Sequence, residues 1–183
     1  MFSAAILAGG RATRFGGRDK SALVIDGRTI LDRQLDVLAR VADDVQVVRD
    51  DVVPGCGPLG GLYTALTRAR HDLTFVAACD MPNLTAPLVS YLVDAASDAD
   101  IVVPRTERRY HPLCAVYRRE CLPAIARRLA ERQLKMTALF SDLRVREVSP
   151  DDLDRFGGHD RLLANVNTPI ELAELEALQG HKP

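Results

Sequence analysis

The stretch AAILAGGRATRFGGRDKSAL, residues 4–23, begins with an apolar run, Ala4–Ala8, that stops at the glycine pair Gly9-Gly10. The run has the length of a buried strand rather than of a helix. Arg11, Arg14, Arg18 and Lys20 follow within ten positions, with Gly16 and Gly17 among them. A strand that ends in glycines and is followed by concentrated positive charge suggests a site for an anion.

Working outward from that strand, short apolar runs alternate with helical patterns. Strands are expected at Ala4–Ala8, Val45–Val48, Leu73–Cys79, Ile101–Val103, Leu113–Tyr117 and Val145–Val148. The spacing of Ile30, Leu31, Leu35, Leu38 and Val41 predicts a helix over Ile30–Val41. Leu62, Ala65, Leu66 and Ala69 predict another over Leu59–Ala69. Helices are also expected over Pro87–Ala96 with Thr85 as cap, over Cys121–Glu131, and over Ile170–Leu178 behind Thr168-Pro169. Strands alternating with helices imply an α/β fold: a three-layer, mostly parallel twisted sheet with helices on both faces. In such sheets ligands bind beyond the carboxyl ends of the strands. That places the chemistry at Gly9-Gly10 and at Asp80, which follows the run LTFVAAC.

The chain of 183 residues fits one domain over 1–183, with no repeat or polar linker to divide it. At this length folding buries about 70% of the surface of the unfolded chain, enough for a core without staples. Lys and Arg number 24 against 25 Asp and Glu. That balance speaks against nucleic acid or a membrane surface as partner, since both favour a large basic excess. No apolar stretch approaches the roughly 18 residues of a membrane span, and the first residues do not resemble a signal peptide. Cys56, Cys79, Cys114 and Cys121 form no C-x-x-C pair and read as reduced thiols. The expectation is a soluble, cytoplasmic protein.

Two familiar phosphate loops are absent. Lys20-Ser21 follows Asp19 rather than the Gly of a G-x-x-x-x-G-K-[ST] loop, and there is no G-x-G-x-x-G. What stands here is L-x-G-G-x-x-x-R-x-G-x-x-x-K, from Leu7 to Lys20. Its glycines let backbone N–H groups approach an anion, Arg14 can fork onto phosphate oxygens, and Lys20 adds a mobile charge. Read alone, the same stretch is also compatible with a solvated surface loop.

The motif LAGGRATRFGGRDKSAL resembles the signature loop of nucleotidyltransferases that activate sugars and cofactors with nucleoside triphosphates, and more narrowly that of the molybdenum cofactor guanylyltransferases. Four further stretches are similar to that family in its own order. They are GCGPLGGLYTAL (Gly55–Leu66), ACDMP (Ala78–Pro82), HPLCAVY (His111–Tyr117) and NVNTPIEL (Asn165–Leu172). Together they span residues 4 to 172, and the resemblance implies a Rossmann-like nucleotidyltransferase fold.

The resemblance also implies roles. GTP and molybdopterin would be the substrates, and GMP would pass to the terminal phosphate of molybdopterin with release of pyrophosphate. Transient contacts with molybdoenzymes or other cofactor-synthesis proteins belong to the same picture. Asp80 would hold Mg²⁺, a hard cation that takes one or two carboxylates and fills its other positions with phosphate and water. Arg14, Lys20 and Asp80 would be catalytic, with Arg14 and Lys20 stabilising the pyrophosphate. Leu7, Ala8, Gly9, Gly10, Lys20, Asp51, Gly57 and Asp80 would meet the nucleotide. Gly57, Pro58, Leu59 and Gly61 would shape a second wall, and Gly61, His111, Asn165 and Asn167 would face the acceptor. Without the resemblance, Asp80 is equally a turn residue, Asn165 and Asn167 are helix caps, and His111 is a residue at a strand start.

One departure stands out. The family usually has a strand, a short helix and another strand between its first long helix and its second glycine loop. Here the chain passes from Val48 to Gly57 in about nine residues, so either one strand–helix unit is missing or the two strands are merged. Two other functions remain open at this point: a relative of the same fold using CTP or a sugar phosphate, and a non-catalytic nucleotide-binding module.

Overall fold

The computed structural model describes residues 1–9, 23–25, 27–107, 109–166 and 171. Its first half contains β1 (Ser3–Leu7), β2 (Val24–Ile25), β3 (Arg28–Thr29), α1 (Ile30–Leu38), β4 (Asp44–Val48), α2 (Gly57–Arg68) and β5 (Leu73–Ala78). The second half contains α3 (Ala86–Asp94), β6 (Ile101–Pro104), β7 (Cys114–Arg118), α4 (Leu122–Ala130), β8 (Val145–Val148), α5 (Pro150–Asp154) and α6 (His159–Leu162).

The main sheet has the order β4-β1-β5-β7-β6-β8. β1 pairs in parallel with β4 on one side and β5 on the other, and β6 pairs in parallel with β8. β7 runs antiparallel to both its neighbours. The reason lies in the connection. A parallel return needs a crossover of a dozen or more residues, usually a helix, whereas residues 105–113 link β6 to β7 directly across one end of the sheet. The mostly parallel expectation therefore holds, with this one reversal.

Successive residues of a strand face opposite sides of the sheet, and here both sides are covered. Ala4, Ile6, Phe75, Ala77, Val102, Cys114 and Val116 pack with Leu38 of α1 and with Leu88, Val89 and Leu92 of α3. Ala5, Leu7, Val76, Ile101, Val103, Ala115 and Tyr117 pack with Leu59, Leu62 and Leu66 of α2 and with Ile125 and Leu129 of α4. These near-continuous apolar strands are what a doubly covered sheet requires. A smaller cluster of Ile25, Ile30 and Val166 sits beneath the β2–β3 ribbon.

Helix ends depart from the expected ones for local reasons. α1 stops at Leu38 because Arg40 and Val41 donate to carbonyls three residues back, a tighter turn that ends the helix. α2 starts at Gly57, two residues before the expected Leu59, because Pro58 is accommodated in the first turn where its missing N–H costs nothing. The β2–β3 ribbon, α5 and α6 were not anticipated, being too short to show a period. The expected helix Ile170–Leu178 lies outside the described residues apart from Glu171. Among the described residues, no helix is long and apolar enough to cross a membrane.

Candidate functional site

The carboxyl ends of β4, β1 and β5 lie side by side, and the backbone knits them together just past the sheet. The Ala8 N–H donates to Val48 O at 2.8 Å, and the Cys79 N–H donates to Leu7 O at 3.2 Å. The first bond draws Gly9 against the chain leaving β4. A Cβ at Gly9 would lie 2.9 Å from Arg49 O, a backbone atom with little freedom to retreat. Glycine is thus required here by the close approach of two strand ends.

On one side of this seam stands the N-terminus of α2. Gly57 begins the helix with φ +57°, a conformation that favours glycine. The N-cap, Cys56, makes no side-chain capping bond. The first-turn amides of a 12-residue helix, together with its dipole, therefore attract negative charge at this edge. Asp51 lies against the same turn: Cβ atoms on Gly60 and Gly61 would meet its carboxylate oxygens at 3.3 and 3.5 Å. Burial, and secondarily Asp50, raises the pKa of Asp51 above the ordinary carboxylate value. Val52 N–H donates to Thr64 Oγ1, whose hydroxyl donates to Gly60 O, so the acidic loop is tied to the helix. Gly61 packs on Leu7, whose side chain belongs to the core beneath.

On the other side Asp80 turns off the end of β5, buried at 9% exposure. Asn165 Nδ2 donates to its Oδ1 at 2.9 Å, and the Val166 N–H donates to its carbonyl at 2.8 Å. The segment following α6 is thereby strapped across the carboxylate, which joins two stretches 85 residues apart. Gln34 approaches from α1. Its Nε2 donates to Ala78 O at 2.8 Å and to Met81 O at 3.0 Å. Gln34 is not among the residues that the motifs single out. The signal that would have found it is its position four residues from both Ile30 and Leu38, on the buried stripe of α1.

His111 lies at the same edge, where β6 ends and β7 begins. Its backbone N–H donates to Pro104 O at 2.9 Å. The ring is buried, and burial, with smaller contributions from Arg109 and His159, lowers its pKa to about 4. The ring is therefore neutral at neutral pH, so any role toward the acceptor is hydrogen bonding rather than charge. Its Nε2 is buried with no hydrogen-bond partner among the described residues. Tyr110 turns elsewhere, donating its hydroxyl to Glu147 beneath Arg105.

The structure thus brings Leu7, Ala8, Gly9, Asp51, Gly57, Gly61, Asp80, His111 and Asn165 to one edge of the sheet. Gly10, Arg14, Lys20 and Asn167 lie outside the described residues. Among the described residues no group of three or more His, Cys, Asp or Glu gathers. A single buried carboxylate steered by an amide suits Mg²⁺, which draws most of its ligands from phosphate and water, better than a cation needing an all-protein cage.

A family model described as a MobA-like NTP transferase domain matches residues 4–145. A Desulfosudis oleivorans protein named molybdenum cofactor guanylyltransferase is 35% identical over 94% of this chain and 93% of its own length. The Archaeoglobus fulgidus molybdopterin-guanine dinucleotide biosynthesis protein A superposes with a TM-score of 0.83 at 21% identity, covering 98% of this chain and 100% of that one. The Thermus thermophilus 2-C-methyl-D-erythritol 4-phosphate cytidylyltransferase superposes with a TM-score of 0.66 at 22% identity, covering 97% and 98%. These two structures share the fold.

Proposed function

We propose that this chain, which belongs to the MobA-like NTP transferase family, acts as one domain that transfers GMP from GTP to the terminal phosphate of molybdopterin, releasing pyrophosphate. The observation that carries this reading is the placement of Asp80 across the strand ends from the N-terminus of α2. A carboxylate and an anion-attracting helix end flank a glycine seam of the kind a triphosphate needs. The choice of GTP and molybdopterin is supported by the name of the 35% identical relative.

A phosphate nucleophile is already ionised at neutral pH, so the reaction needs no strong general base. Alignment and charge neutralisation supply the catalysis. Leu7, Ala8 and Gly9 are assigned to the nucleotide, and the dipole of α2 favours its negative charge. Asp51 is assigned to the nucleoside, and Arg14 and Lys20 to the departing pyrophosphate. Asp80, steered by Asn165, is the residue that would hold Mg²⁺, which when bound neutralises charge on the reacting phosphates. His111 is assigned to an uncharged hydrogen-bonding group of the acceptor, and Asn165 and Asn167 to its phosphate end.

Incubation of the purified protein with Mg²⁺, molybdopterin and each nucleoside triphosphate tests the reading. Pyrophosphate release with GTP is the expected result. Release with CTP alone would move the chain to a cytidylyl activity, and no release with any donor would leave a binding module.

A further inference from the structure

The buried stripe of α1 is Ile30, Gln34 and Leu38. Its middle residue is only 1% exposed yet carries an amide. Gln34 Oε1 is buried with no hydrogen-bond partner among the described residues, an arrangement that costs stability relative to an apolar side chain of similar size. What the amide supplies is geometric. One NH₂ group has two donors, and both are used on carbonyls three residues apart, Ala78 O and Met81 O. Those carbonyls bracket Cys79 and Asp80. Other groups of the turn are held from other directions: Cys79 N–H by Leu7 O, Asp80 O by Val166 N–H, and Asp80 Oδ1 by Asn165. The path of the chain into and out of Asp80 is therefore set from α1, and the rotation of the carboxylate is set by the strap after α6.

We propose that Gln34 is the positioning residue of the Asp80 turn. It clamps the carbonyls on either side and so fixes where the carboxylate meets a divalent cation and the reacting phosphates. This inference rests on the reading of Asp80 given above. Gln34 is too deeply buried to touch substrate, and it acts through the turn it holds. Groups that orient a metal ligand in this way typically account for about 10–100-fold in metal affinity or activity.

The test is Gln34→Met, which keeps the volume and removes both donors. Mn²⁺ binding in the presence of GTP, followed by electron paramagnetic resonance, is expected to weaken by about 10–100-fold. The metal concentration giving half-maximal rate should rise in parallel, while KM for GTP at saturating metal stays unchanged. A folded variant with wild-type Mn²⁺ affinity overturns the proposal, even if its urea midpoint falls, because Gln34 would then be a structural brace alone. A measurement on the wild-type chain stands independently of how the variant folds. The side-chain ¹H–¹⁵N signal of Gln34 is expected to move as Mg²⁺ and GTP are added, and an unmoved signal overturns the proposal. Should wild-type protein bind no divalent cation with GTP and show no metal-dependent turnover, the reading of Asp80 fails. Should wild-type protein do both while Gln34→Met matches it, only the clamp fails.

Discussion

Asp80 and Gly9 illustrate two kinds of dependence on a single residue. Asp80 contributes a charge that the fold takes trouble to orient, through Asn165 and the Val166 amide. Asp80→Asn keeps the shape and the side-chain oxygen but loses the charge. Metal-dependent turnover is expected to fall by roughly 10²–10³ with the urea midpoint little changed, as when one preorganised electrostatic group is removed. A near-normal rate would remove Asp80 from the metal site. Gly9 contributes an absence, because a Cβ there would be driven to 2.9 Å from Arg49 O. Gly9→Ala is expected to cost about 1–3 kcal/mol of stability, the usual range for overpacking, and to raise KM for GTP. Urea unfolding and steady-state kinetics on the same preparation would check both effects.

At the level of elements, α1 matters beyond its contribution to the core, since Gln34 extends its influence to the Asp80 turn. The helix is anchored at its start by Thr29. Oγ1 accepts from Asp32 N–H at 3.0 Å and donates to Asp32 Oδ2 at 2.6 Å. Thr29→Ala is expected to cost about 1 kcal/mol by urea denaturation, the typical value of a lost N-cap. α2 is built the opposite way. Its N-cap Cys56 makes no side-chain capping bond. One helix start is capped by a side chain and the other is not. β4 is an edge strand of the sheet, and the chain passes from it to α2 in eight residues, 49–56.

At the scale of the whole molecule, burial of neutral His111 couples stability to pH. Its folded pKa, about 4, lies below the ordinary value of 6.5. As pH falls through 6.5, the unfolded chain takes up a proton that the folded chain accepts only near 4. The stability contribution is therefore complete above 6.5 and is lost progressively between 6.5 and 4, with a total on the order of 3 kcal/mol. Urea midpoints of the wild type are expected to fall between neutral pH and the lower end of that window more steeply than those of His111→Gln. Equal slopes would show that the ring is not held neutral.

The amino-acid sequence by itself determined the alternation of elements and the edge at which they stop. Ala4–Ala8, Leu73–Cys79 and Leu113–Tyr117 are apolar without a helical period, and glycines or Asp80 follow the first two. Those features follow from local chemistry, because a strand buried on both faces must be apolar throughout and its end must turn. Asp80, Asn165 and His111 were legible as residues, but their arrangement was not. Tertiary structure alone brought Asn165 to Asp80, reversed β7, and neutralised His111 by burying it. The role of Gln34 was hidden for the same reason. A polar residue in a helical pattern reads as solvent-facing until the carbonyls it bonds, 44 and 47 residues away, are placed beside it. Hydrogen bonds and desolvation depend on what the rest of the chain packs against a group, and neighbours in sequence carry no record of that.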